Sequence, residues 1–61
     1  MTKQNTYEWL LERLNQTQVE FHLAVEKWIE SNYSEETKKI VEFYVEEIQE
    51  IKNKIDELFD N

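Results

Sequence analysis

The fold is decided at residues 31–36, where the sequence reads Ser31-Asn32-Tyr33-Ser34-Glu35-Glu36. This polar stretch separates two segments in which apolar residues recur three and four positions apart, as they do on one face of an α-helix. The two repeats are out of register, because continuing the first past residue 28 would place Ser31 and Glu35 on the apolar face. One continuous coiled coil is therefore disfavoured, and we predict a turn.

Residues on both sides of the turn carry helix-terminating and helix-starting signals. Asn32 is the non-glycine type best suited to a left-handed position after a helix, and Ser34 followed by two glutamates is typical of an N-cap. Asn5 with Glu8 three positions on resembles a capping box. We predict helices over about residues 6–31 and 35–59, a turn at about 31–34, and a single domain over 1–61.

Folding at the turn brings the two apolar stripes together as the seam of an antiparallel all-α hairpin. Seven residues from each helix form that seam. In the first stripe, only the polar Thr17 interrupts the apolar pattern. The first helix contributes Tyr7, Leu10, Leu14, Thr17, Phe21, Ala24 and Trp28, and the second contributes Thr37, Val41, Tyr44, Ile48, Ile51, Ile55 and Leu58.

One flank of the seam, at heptad position e and called here the e face, is more apolar than a two-stranded coil requires. Apolar residues at positions a, d and e are typical of multi-helix bundles. We therefore expect two hairpins to join through this face as a homodimeric four-helix bundle. The predicted dimer interface consists of Leu11, Gln18, Val25, Val45, Lys52 and Phe59.

Composition excludes several classes of site. The 61 residues contain no Cys, Gly or Pro and only one His. Disulfides, thiol nucleophiles and zinc–thiolate centres are therefore impossible, and the glycine-rich loops that hold phosphates are absent. We expect no cofactor and no metal.

Catalysis is also not expected from the carboxylates and the single histidine. His22 and Glu26 lie one helical turn apart, but both occupy outward positions, no Glu-x-x-His pair occurs, and no acid falls on the seam. Carboxylates on a solvated helix lack the pocket that acid–base chemistry needs. We interpret the chain as non-enzymatic.

Fourteen acidic and seven basic residues give a formal charge of −7. This charge repels phosphate backbones and anionic lipid, so we expect neither nucleic acid nor membrane as a direct partner, and a protein with a basic patch is favoured instead. Residues 1–5 contain no apolar signal region, and no apolar run approaches the roughly 20 residues of a membrane span. Together with the lack of cysteine, this predicts a cytoplasmic protein.

The remaining outward residues suggest a surface for that partner. Leu23, Ile40 and Phe43 should meet on the flank opposite the e face, at heptad position g, which we call the g face. Glu42, Glu46 and Glu50 form an i, i+4 ladder that is either a solvated surface or an imitation of a phosphate backbone. The predicted partner-binding residues are Leu23, Ile40, Phe43, Trp9, Glu20, Glu42, Glu46, Glu47 and Glu50.

Two functions fit these features. The first is a small acidic protein-interaction module that binds and inhibits or regulates a larger protein; a more specific form of it is an inhibitor of a host nucleic-acid-processing enzyme, of the phage or mobile-element type. The second is a structural or assembly element with no foreign target. A regulator should capture one foreign protein, whereas an assembly element should associate with itself beyond a closed dimer.

Overall fold

The computed structural model describes residues 3–59 as two α-helices packed against each other in a hairpin. Helix α1 spans Lys3–Glu30 and helix α2 spans Glu35–Phe59, with no strand in that range. The all-α hairpin is thus confirmed, and α2 has the predicted bounds. The domain prediction over 1–61 extends past the described residues at both ends.

The predicted start of α1 is wrong. The helix already includes Lys3, three residues before the predicted start, so Asn5 lies inside the helix and is not its N-cap. Lys and Gln are good helix formers, and no Gly or Pro interrupts residues 3–5, so nothing local stops the helix there. At the other end α1 stops at Glu30, one residue before the predicted end.

The end of α1 is a Schellman motif built without glycine. Asn32 has a φ of 61° and Tyr33 a φ of 62°, both in the left-handed region. The Tyr33 N–H donates to the Trp28 carbonyl at 2.8 Å, and the Asn32 N–H donates to the Ile29 carbonyl at 3.0 Å. These are the two bonds that define the motif, with Asn32 in the left-handed position that the sequence predicts.

An aromatic contact closes the same motif. The Tyr33 ring meets the Trp28 ring edge to face, with 5.3 Å between the centroids and 89° between the planes. Schellman motifs commonly carry an apolar contact between these two positions. The contact fixes the direction in which the chain leaves α1.

Helix α2 begins at the predicted N-cap. The Thr37 N–H donates to Ser34 Oγ at 3.4 Å, and the Ser34 carbonyl accepts from the Lys38 N–H at 3.0 Å. Ser31 joins this cap, because its Oγ lies 2.9 Å from Thr37 Oγ1 and accepts from the Ser34 N–H at 3.3 Å. Three hydroxyls, those of Ser31, Ser34 and Thr37, therefore connect the first residue after α1 to the first turn of α2.

The seam follows the predicted stripes. Every one of the predicted seam residues is buried or half-buried, and the most enclosed are Leu10, Thr17, Ala24, Val41 and Ile51. Thr17 is accommodated because its hydroxyl donates to the Arg13 carbonyl at 2.7 Å, whereas the buried indole N–H of Trp28, also on the seam of α1, has no hydrogen-bond partner among the described residues. The core is therefore a single layer of side chains between two helices.

That single layer leaves a thin, elongated molecule. Its extents are 44 × 18 × 12 Å and its accessible surface is 5069 Å², whereas a compact protein of its 7.6 kDa mass exposes about 4,300 Å². Within residues 3–59, no third element covers the two broad faces, the e face and the g face, which flank the seam.

Candidate protein-binding site

On the g face the two helices form a depression near the turn. Its volume is about 210 Å³, and its lining residues are Glu20, Leu23, Ala24, Lys27, Ile40 and Tyr44. Leu23 and Ile40 form its apolar rim and are 53% and 50% exposed. The structure thus brings together three predicted partner-binding residues, namely Leu23, Ile40 and Glu20, and we call this feature the Leu23–Ile40 depression.

Phe43 adjoins this depression without lining it. Its ring packs edge to face on Tyr44, with 5.3 Å between centroids, and the side chain remains exposed. Since Tyr44 forms part of the depression's wall, Phe43 lies at its edge.

A second depression lies near the open end of the hairpin, on the same face. It has a volume of about 480 Å³ and is lined by Thr6, Trp9, Leu10, Lys54, Glu57 and Leu58. Trp9 is exposed, and the Arg13 guanidinium lies over its ring at 5.7 Å from the centroid. This cation–π contact orients the indole beside the depression, which we call the Trp9–Leu58 depression.

The acidic residues do not form one surface. Glu20, Glu42, Glu46 and Glu50 are exposed, and Glu47 is half-buried. On a helix, Glu42 is the neighbour of Val45 on the e face, whereas Glu47 is the neighbour of Phe43 beside the g face. The ladder of Glu42, Glu46 and Glu50 therefore passes across the back of α2 from one face toward the other, and only its far end approaches the g face.

The predicted dimer residues on the e face differ in exposure. Leu11 and Val25 are half-buried, whereas Val45 and Phe59 are exposed. The Phe59 ring packs edge to face on Tyr7, with 5.2 Å between centroids. Gln18 and Lys52 line one shallow depression between these apolar ends, together with Asn15, Val19, Phe21, His22 and Ile48. The e face is thus apolar toward its ends and polar in its middle.

Sequence reasoning missed Val19, which is the most exposed of the large apolar side chains at 62%. Val19 is separated from the seam in the heptad pattern and lines the e-face depression beside His22. The sequence did contain a signal for Val19, namely its outward position in the heptad pattern. An apolar side chain at such a position is not buried when the hairpin forms.

Residues 3–59 hold no group of three His, Cys, Asp or Glu side chains arranged to bind a metal ion. No family model, curated protein or solved structure matches the chain. Neither α1 nor α2, as described, has an apolar stretch long enough to cross a bilayer.

Proposed function

We propose that this protein is a non-enzymatic interaction module that binds a larger protein with a basic patch and thereby inhibits or regulates it. The observation that carries the proposal is the Leu23–Ile40 depression, an apolar concavity on a chain with a charge of −7. Its volume of about 210 Å³ can accept one large apolar side chain, since an apolar cavity of ~150 Å³ accommodates benzene.

Energetics favour a partner at this position. Leu23, Ile40 and Phe43 are 50–55% exposed, so burying the rest of each side chain would contribute roughly half of the 1.5–3 kcal/mol expected for full burial. Clustered apolar residues around a concavity are typical of the anchors of protein interfaces, and surrounding charge selects the partner and speeds its association. Apolar contact would therefore supply most of the affinity, and the acids would supply the preference for a basic surface.

We also propose that the working unit is a homodimer, formed through the e face as a four-helix bundle. A broad face of 44 × 18 Å is close in area to the roughly 800 Å² per partner of a standard interface. The middle of the e face carries Gln18, His22 and Lys52 and no carboxylate among its lining residues, so a second acidic copy is repelled least there. The g face then stays open for the foreign protein.

The test is affinity capture from nuclease-treated lysate of the source organism or its host, with Ile40→Ser compared with wild type. Ile29→Ser is the matched control, because Ile29 is 52% exposed and Ile40 is 50% exposed, but Ile29 lines neither g-face depression. We expect one stoichiometric partner that is retained by Ile29→Ser, lost by Ile40→Ser and weakened by high salt. Phe43→Ala should also weaken capture, while the loss of its edge contact with Tyr44 lowers the melting temperature by only a few degrees.

A partner retained equally by both isoleucine variants would contradict the proposed site. If no foreign protein is captured and the chain forms assemblies larger than a dimer, the assembly element replaces the regulator as the better account. Nuclease treatment removes partners that are held only through nucleic acid. The same capture therefore separates the two functions that the sequence leaves open.

A further inference from the structure

Resting on the proposed function, we propose that the occupant of the g face is a basic, amphipathic α-helix that lies lengthwise in the groove between α1 and α2. Two separate depressions mark the course of that groove, the Leu23–Ile40 depression near the turn and the Trp9–Leu58 depression near the open end. Both concavities have apolar walls and lie on one side of the hairpin. The partner would thus add a third helix to a two-helix layer.

The spacing of the two depressions matches a helix. Trp9 and Leu23 are fourteen residues apart on α1, which is about 21 Å of helix. A second helix aligned with α1 presents side chains on one face at i, i+7 and i+14, over the same length. One straight helix can therefore place an apolar side chain in each depression at once.

An extended strand fits less well. Peptides that bind as strands obtain much of their affinity from hydrogen bonds to an exposed sheet edge, and residues 3–59 contain no strand. The N–H and C=O groups along α1 and α2 are paired within the helices. A partner can therefore bind this face only through side-chain packing, and an amphipathic helix lying in a groove binds in that way.

Charge then sets the character of that helix. Heptad positions g and c, which flank the groove, hold six acids and three bases. The acids are Glu20, Glu30, Glu36, Glu47, Glu50 and Glu57, and the bases are Arg13, Lys27 and Lys54. Each depression is lined by one acid and one base, Glu20 with Lys27 and Glu57 with Lys54, so the excess of acid lies outside the two depressions. There it repels a second copy of this chain and attracts lysine and arginine on the flanks of the partner's apolar stripe.

The experiment uses two synthetic peptides of about 18 residues, long enough to span both depressions. Both carry leucine at the same helical positions, spaced to include i, i+7 and i+14; one has lysine at its charged positions and the other has glutamate. Binding to the full chain is measured by calorimetry, and the site is located by amide NMR shifts. We expect the lysine peptide alone to bind, with the largest shifts around Leu23 and Ile40.

Variants then separate specific docking from attraction between opposite charges. Ile40→Ser should weaken the lysine peptide by roughly tenfold or more, as expected for an anchor contact, whereas Ile29→Ser should leave its affinity unchanged. Equal binding of both peptides would overturn the charge argument. Equal loss in both variants, or no binding of either peptide, would overturn the groove as a helix site.

Two outcomes distinguish this inference from the function on which it rests. If Ile40→Ser abolishes capture of a natural partner but neither peptide binds, the interaction module stands and its partner is not a basic helix. If Ile40→Ser instead changes the sedimentation of the chain in the absence of any peptide, the g face joins two copies and the inference is wrong.

Discussion

Asn32 bears the conformational cost of a turn made without glycine. At a φ of 61° an ordinary residue costs about 1–2 kcal/mol, and Asn tolerates this region better than most. We expect Asn32→Ala to lower the free energy of unfolding by about 1 kcal/mol, measured by chemical denaturation, and Asn32→Gly to be at least as stable as wild type.

The matched control is Asn53→Ala in the exposed interior of α2, where the loss of the 3.1 Å bond from Gln49 Nε2 to Asn53 Oδ1 opposes the gain in helix propensity. Stability should therefore change by no more than about 0.5 kcal/mol. If Asn32→Ala were as stable as its control, the left-handed backbone geometry at residue 32 would not affect the free energy of unfolding. The sequence was sufficient to predict Asn32, because the preference is a property of that residue type. It was not sufficient for Tyr33, whose φ of 62° accompanies packing on Trp28 across the turn.

Thr17 is the one polar residue among the most enclosed seam positions. Its hydroxyl bonds only the Arg13 carbonyl within its own helix, and this type of bond slightly weakens helices. Thr17→Val should therefore raise the free energy of unfolding by up to about 0.8 kcal/mol through the added methyl group, and Thr17→Ser should lower it. Thermal unfolding of the three proteins is the measurement, and a less stable Thr17→Val would show that the hydroxyl is required.

At the scale of the helix, Ser34 connects two elements. Its Oγ accepts from the Thr37 N–H and lies 2.8 Å from Thr37 Oγ1, and Ser31 joins the same hydroxyl cluster. Ser34→Ala should cost about 1 kcal/mol, as for other N-caps, and Ser34→Asp should keep most of the stability because Asp is an equally good cap. Denaturation of both variants tests this, and equal losses would show that the cluster matters more than the cap.

Helix boundaries were predictable only where a local signal exists. The start of α2 follows from Ser34 and the end of α1 is set near Asn32, because a cap and a left-handed residue are chemically specific. The start of α1 was mispredicted because an Asn three residues before a Glu satisfies the capping pattern equally well inside a helix. A capping pattern identifies residues that are able to cap a helix, but it does not show that the helix begins at that residue.

For the whole molecule, the seam was predictable and the surface was only partly so. Heptad periodicity fixes which residues face inward, so Thr17 and Trp28 were placed on the seam without knowledge of the structure. Which outward residues share a concavity depends on the register and tilt of two helices. That is why Leu23 and Ile40 meet as expected, whereas Phe43 lies at the edge and Val19 was overlooked.

The proposed dimer would involve both helices, and substitutions on the e face test it. Val45 and Leu23 are 51% and 53% exposed, so Val45→Glu and Leu23→Glu make the same chemical change on opposite faces without opening the seam. We expect wild type and Leu23→Glu to sediment as dimers at tens of micromolar, and Val45→Glu to dissociate, because an unpaired carboxylate would be buried.

Leu11→Glu with Val25→Glu should remove the dimer and much of the stability together, since both side chains are half-buried. A monomeric wild type at that concentration would contradict the dimer. Dissociation by Leu23→Glu alone would assign the self-association to the g face, and the foreign partner would then have to bind elsewhere.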